Sequence, residues 1–293
     1  MPTSRRLKWF IFIGLTPAVS IFVVFAIAPM IWSMYYGFYD WSGIGDSKFI
    51  KLENYKETFG DPVFWKALKN NMIVVVASVF GQVPIALVLA LALRKTSLFQ
   101  RIVRGAVFLP MVLSSVVIGM IWQYMYHPQV GILNFALEWL HLGSLKRQWL
   151  GDPDIAMYSL TVPIIWNYVG LYLLLFMAAL SNTPAEVDDA AKIDGASGLK
   201  KLFLVTLPMI RGTIQVAVIL CIAGSLKAFD LVFVMTGGGP AHGTELLATY
   251  MYNNTFNIYR FGYGSAISTV TIFISFIFIA ISQLLLRRDQ RQQ

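Results

Sequence analysis

The chain has 293 residues, of which 57% are hydrophobic and only 13% charged, about half the charged share of an ordinary soluble domain. With a mean hydropathy of +0.65, this composition excludes intrinsic disorder, a disulfide-stapled secreted module and a typical soluble enzyme. The formal net charge of +8 would suggest nucleic acid in a soluble protein, but the basic residues flank long apolar runs, so the expected partner is membrane lipid and no nucleic acid.

A helix needs about 20 mostly apolar residues to cross a bilayer. The first such run predicts a span near 9–32. Arg5, Arg6 and Ala26-Ile27-Ala28 imitate a secretory signal with its cleavage site, but the run is longer than a signal core and Pro29 would follow the cut. The helix is therefore expected to stay. Further spans are predicted near 71–93 and 105–126. The loop 127–154 contains an amphipathic segment, 134–140, suited to a short surface helix or to a packed loop. A fourth span is predicted near 156–180. A fifth, near 212–236, is interrupted by Lys227 and Asp230, and a sixth lies near 264–286. Pro17, Pro84 and Pro163 fall inside spans, which membrane helices tolerate when neighbours satisfy the freed backbone groups. The expected fold is all-α: one polytopic transmembrane domain over 1–293, with six helices. No internal repeat is visible, which argues against a secondary carrier built from repeats.

Orientation follows from Lys and Arg. Fourteen of the 23 lie in the N-terminal tail, the second-to-third connection, the fourth-to-fifth connection and the C-terminal tail. Eight lie in the alternate loops, and Lys227 is the remaining one. The positive-inside rule places both termini in the cytoplasm.

The fourth-to-fifth connection, 181–211, carries the most information. Pro184 suits a helix start, and Glu186, Asp188 and Asp189 put negative charge in the first turn, where the helix dipole favours it. Ala190 and Ala191 form helix with almost no bulk, so another surface can approach closely. Gly195 permits a left-handed turn that ends the helix. A second amphipathic piece follows, with Leu199, Leu202, Phe203 and Val205 on one face and Lys200 and Lys201 opposite, up to Pro208. The expected product is a helix–turn–helix elbow projecting on the cytoplasmic side.

These residues resemble the EAA loop of permease subunits in bacterial ATP-binding-cassette importers. That pattern reads Glu-Ala-Ala, three residues, Gly, nine residues, Ile, one residue, Leu-Pro. Asp189-Ala190-Ala191, Gly195, Val205 and Leu207-Pro208 stand at every one of those spacings, with Asp for Glu and Val for Ile as the two departures. Residues 49–70 look like the first external loop of the carbohydrate-uptake subfamily. The stretch 229–240, Phe-Asp-Leu-Val-Phe-Val-Met-Thr-Gly-Gly-Gly-Pro, followed by Thr244-Glu245, looks like the subunit type that includes the maltose and glycerol-phosphate permeases. The resemblance implies a permease subunit in the inner membrane that pairs with a second, different permease. It implies a cytoplasmic ATPase dimer seated on Glu186, Asp189, Ala190, Ala191, Gly195, Val205, Leu207 and Pro208, and an extracytoplasmic binding protein that delivers the sugar. A stand-alone carrier or channel driven by an ion gradient is the alternative, and it would want intramembrane carboxylates beyond Asp230.

No catalytic machinery is visible. The chain lacks the G-x-x-x-x-G-K-[ST] phosphate loop, so ATP is expected on partner subunits and no cofactor on this one. Gly237-Gly238-Gly239 lacks the Lys that a phosphate cradle needs and reads as a helix-ending turn. His127, His141 and His242 share no metal-ligand spacing with the single cysteine, Cys221. Lys227 and Asp230, spaced i, i+3, are either an ion pair locking the fifth helix or contacts to solute. Cys221, Ser225 and Ala228 form a small-residue stripe at i, i+4, i+7. The resemblance places solute contacts on this part of the fifth span and on the middle of the third and fourth, which maps to Ser115, Asn167 and Tyr168. Hydroxyls, amides and aromatic faces suit a sugar; the same residues also serve as interhelical hydrogen-bond partners.

Overall fold

The computed structural model describes residues 4–94 and 97–288, and these are helical almost throughout. Helices α1 (Ser4–Phe22) and α2 (Ala28–Tyr36) flank one wide turn, Val23–Ile27, and run together as the first apolar span. The wide turn has a cause in the sequence. Pro29 has no N–H to offer the Phe25 carbonyl and its ring crowds that oxygen, so the Ala28 N–H bonds five residues back, to Val23. A two-stranded antiparallel ribbon follows, β1 (Tyr39–Asp40) against β2 (Lys48–Phe49), with Tyr39 opposite Phe49. Then come α3 (Glu53–Gly60), the long α4 (Pro62–Ala92), α5 (Leu98–Val112), α6 (Ser115–Met125), α7 (Ile132–Trp139) and α8 (Ala156–Ser181). Helices α9 (Ala185–Ile193), α10 (Gly198–Lys201) and α11 (Leu207–Met209) form the next connection. The chain continues through α12 (Arg211–Leu226), α13 (Asp230–Thr236), α14 (Leu247–Tyr252) and α15 (Phe261–Arg288).

Among the described residues four helices are long and apolar enough to cross a membrane, and two bent pairs bring the number to six if each pair is one span. The bends differ from the continuous helices expected at 105–126 and 212–236. Between α5 and α6 the axis turns by 102°. Leu113 and Ser114 are extended there, and the Ser114 Oγ caps α6 by accepting from the Val116 N–H at 3.3 Å. The segment Gly198–Met209 bends by 71° into α12 at Ile210. A wide turn at Leu202–Thr206 precedes this bend, ending two residues before Pro208 for the reason that applies at Pro29. The expected fifth helix also stops at Leu226 and resumes at Asp230, so residues 227–229 link two helices instead of lying within one.

The residues pack as two compact units. The first comprises the chain up to Asp61 together with Met251–Phe273. In it no residue of Trp9–Tyr36 is buried. Asn54 is buried and donates to the Gly37 and Tyr39 carbonyls at 3.0 and 2.9 Å, which fixes the turn after α2. Arg260 grips Glu57 in a bidentate pair at 2.7 and 2.6 Å, and its guanidinium also lies over the Tyr263 ring.

The second unit comprises Pro62–Tyr250 and the chain from Ile274. Its centre is α4 against α8, with α12 across both. Lipid tails are as apolar as leucine, so such helices are held by close fit and interhelical hydrogen bonds more than by burial of apolar surface. Both are present. Ala86 and Ala90 of α4 are fully buried beside Leu173 and Phe176 of α8. Gly170 of α8 lets α5 come so close that a Cβ there would stand 2.7 Å from the Val107 carbonyl oxygen. Gln123 of α6 donates to the Val234 and Met235 carbonyls of α13 at 3.0 Å each.

Candidate functional site

The second unit contains a cavity of about 360 Å³, within the size range of small-ligand sites. One wall is α4, which turns a stripe of Val74, Ser78 and Gln82 inward at i, i+4, i+8. Opposite stand Tyr168 and Tyr172 of α8, and the third side is built by Cys221, Gly224 and Ser225 of α12, the link at 227–229, and the start of α13.

Its polar groups are joined to one another. The Gln82 amide donates to the Ser78 Oγ and to the Ile164 carbonyl, both at 3.3 Å, and the Cys221 thiol donates to the Gln82 Oε1 at 3.4 Å. At the rim, buried Asn71 donates to the Ser225 carbonyl at 3.1 Å and accepts from the Leu247 N–H at 2.9 Å. It therefore stabilises a carbonyl in the last turn of α12, where intrahelical partners run out. Past α13, Gly237 takes the left-handed conformation (φ 59°) and its N–H bonds back to Phe233, which ends that helix. Asn70 fastens the loop that follows by donating to the Gly243 and Glu245 carbonyls at 3.0 and 2.9 Å.

Of the residues expected to meet solute, Tyr168, Cys221, Ser225, Lys227 and Asp230 line this cavity. Ser115 and Asn167 are not among its lining residues. Ser115 opens α6 just past the 102° bend. Asn167 is buried in α8, and its Oδ1 has no hydrogen-bond partner among the described residues. Lys227 and Asp230 form no ion pair with each other. The helix ends between them, Lys227 capping α12 and Asp230 opening α13, so they do not share the helix face that i, i+3 spacing implied. For the same reason Ala228 leaves the stripe of Cys221 and Ser225, although it still lines the cavity. Sequence reasoning missed Ser78, Gln82 and Tyr172. The available signal was the pair of polar residues one helical turn apart in an otherwise apolar run.

The 184–208 connection forms an elbow of short helices. Helix α9 covers Glu186, Asp189, Ala190 and Ala191, though the Asp189 side chain lies outside the described residues. Gly195 has φ +70°, and the Ala196 N–H reaches back to the Ala191 carbonyl at 2.8 Å, the six-residue closure that ends helices on a left-handed glycine. Glu186, Ala190, Ile193 and Leu199 are exposed, whereas Ala191 is buried against its own chain. Val205 and Leu207 are half-buried and Pro208 is exposed.

Residues 82–291 match the family described as binding-protein-dependent transport system inner membrane component. A probable ABC transporter permease of Bacillus subtilis is 36% identical over 90% of this chain and 91% of its own length. The diacetylchitobiose uptake system permease of Streptomyces coelicolor is 33% identical over 95% of this chain and 82% of its own. The multiple sugar-binding transport system permease of Streptococcus mutans is 29% identical, over 87% and 86%. The fold matches a crystal structure of a bacterial ABC transporter involved in import of the acidic polysaccharide alginate, with a TM-score of 0.83, 20% identity, and 97% and 96% of the two chains covered.

Proposed function

The chain belongs to the family of binding-protein-dependent transport system inner membrane components, and from that premise we propose its solute, its partners and its orientation. It is a multi-pass membrane permease of an ATP-binding-cassette importer. The solute of our reading is a carbohydrate, which meets this subunit in the cavity between α4, α8, α12 and α13.

The convergence of Ser78, Gln82, Tyr168, Ser225, Lys227 and Asp230 at the break after α12 carries the reading. Hydroxyl and amide groups match sugar hydroxyls, a tyrosine face matches the C–H side of a pyranose, and a charged donor and acceptor add stronger hydrogen bonds. The names of the Streptomyces and Streptococcus relatives support the same class of solute.

A second, different permease completes the pathway, and a cytoplasmic ATPase dimer docks on the elbow. The exposed Glu186, Ala190, Ile193 and Leu199 support that docking. Hydrolysis of ATP belongs to the ATPase, this chain holds no cofactor and catalyses nothing, and an extracytoplasmic binding protein hands over the solute. Both termini face the cytoplasm of a bacterial cell, on the strength of the basic residues. In the reconstituted importer with its binding protein, a panel of sugars should include one that stimulates ATP hydrolysis. Ser225→Leu should then raise the half-saturating sugar concentration about tenfold, as expected when a small polar wall residue is replaced by a bulky apolar one. An unchanged sugar response in Ser225→Leu overturns the cavity assignment, and a panel without any stimulating sugar overturns the solute class.

A further inference from the structure

Helix α7 exposes a ridge of large apolar residues. Its one buried residue is polar. Asn134 donates to the Pro128 and Arg147 carbonyls at 3.0 Å each and accepts from the Trp149 indole N–H at 2.8 Å. Leu133 packs against the core, but three large apolar residues on the other side point away from the protein: Ile132, Phe135 and Trp139, at i, i+3 and i+7, are 61%, 68% and 74% exposed. Val130 and Leu140 extend the same surface. The charged residue of the helix, Glu138, is instead paired with Lys146 at 2.9 Å.

The position of α7 along the chain says what covers this ridge. It begins within a few residues of the end of α6, and the intervening turn is tight. The Gly131 N–H bonds to the His127 carbonyl at 2.9 Å, and a Cβ on Gly131 would overlap that same oxygen. The loop then returns through Trp149 to the start of α8. On the α6 side the Tyr126 hydroxyl donates to the Ser159 carbonyl of α8 at 2.9 Å. Helix α7 is thus tethered between the ends of two apolar helices, and the ends of spanning helices are where hydrocarbon gives way to headgroups. The exposed Val117, Met120, Ile121 and Tyr124 of α6 lead up to it. Tryptophan, with basic residues beside it, is the composition of that boundary.

We propose that α7 is an interfacial anchor. It lies in the headgroup–acyl boundary on the side of the membrane opposite the 184–208 elbow, with Ile132, Phe135 and Trp139 in lipid and the Glu138–Lys146 pair in water. Such an anchor fixes the depth of the α6 and α8 ends, on which one wall of the cavity stands.

The test uses the assembled importer in nanodiscs carrying Ile132→Cys, Phe135→Cys, Trp139→Cys or Glu138→Cys, each labelled with an environment-sensitive fluorophore; the unsubstituted chain, whose Cys221 is buried, is the blank. Lipids bearing a shallow nitroxide should quench the first three labels by about half or more and leave Glu138→Cys bright, with no change on adding the binding protein. No quenching at the first three positions overturns the proposal. So does a response there to the binding protein in place of lipid, which makes the ridge a protein-docking surface. A second measurement leaves the chain unmodified. A photoreactive phospholipid should cross-link to peptides from both 115–125 and 130–142, and cross-links to the first without the second overturn the anchor.

Discussion

The side-chain amide of Asn71 donates to the carbonyl of Ser225 at 3.1 Å, across the whole length of chain that separates the start of the second span from the end of the fifth. Its other face accepts from the Leu247 N–H at 2.9 Å. One buried amide thus holds both α12, where that helix lets go, and the loop that leads into α14. This is why a helix without proline at 227–229 still breaks there: the carbonyl in its last turn has a side-chain partner elsewhere, so continuing the helix offers no advantage at that point.

Asn71→Leu removes both bonds: the buried Leu247 N–H loses its partner, and the Ser225 carbonyl keeps only the Ala228 N–H at 3.3 Å. The expected loss is about 1–3 kcal/mol, the cost of one buried unsatisfied group. Thermal unfolding of the detergent-solubilised importer reads this directly. An unchanged midpoint would mean that the break is held by something else.

Lys227 and Asp230 provide a second check. The helix is interrupted between them, and they form no ion pair with one another. In a double-mutant cycle of Lys227→Ala and Asp230→Ala on stability, the coupling energy should fall below about 0.5 kcal/mol, as for independent sites. A coupling of about 1 kcal/mol or more would show that they pair within the chain.

Much of the architecture was legible because composition and charge placement speak loudly in a membrane protein. The positions of α1–α2, α8 and α15 follow from apolar runs, and the elbow follows from Gly195 and the residues spaced around it. The bends did not. Hydropathy is the same for a straight helix and for two helices meeting at Ile210, and nothing in the residues 227–229 themselves announces a break whose stabilising partner, Asn71, is far away in sequence. The cavity was half legible for a similar reason. Sequence attention went to the charged pair in the fifth span, while Ser78 and Gln82 carry no charge and declared themselves only when α4 packed against α8.

Gly262 makes a prediction for the first unit. Its N–H donates to the Trp41 carbonyl at 3.0 Å, and a Cβ there would overlap the Tyr39 carbonyl oxygen, which already accepts from Asn54. Gly262→Ala should cost about 1–3 kcal/mol, the usual penalty of overpacking against backbone that cannot move. Gly14→Ala meets open space within α1 and should have the opposite sign, a gain of up to about 1 kcal/mol from helix propensity. Melting curves of the two variants in one detergent compare them; equal effects would refute the packing at Tyr39.

The elbow separates two neighbouring alanines. The resemblance gave Ala190 and Ala191 the same role against the ATPase, but Ala191 is buried in its own chain and of the two only Ala190 is open to a partner. Ala190→Trp should therefore leave the unfolding midpoint unchanged while reducing ATPase co-purification, because the bulk would stand on the proposed docking face. Ala191→Trp should do the reverse first. It forces an indole under the closing turn, costing about 1–3 kcal/mol, and loses the ATPase only as far as the elbow itself is disrupted. Gly195→Ala tests backbone more than bulk: at φ +70° an alanine costs about 1–2 kcal/mol in the left-handed region, and the helix end frays with only one methyl group added. Membrane content, ATPase recovery and unfolding midpoint, measured for all three, distinguish the cases. If Ala190→Trp retains full ATPase association and wild-type uptake, α9 is not the docking helix. The partner must then seat on the exposed Leu199 and Phe203 of the segment that follows.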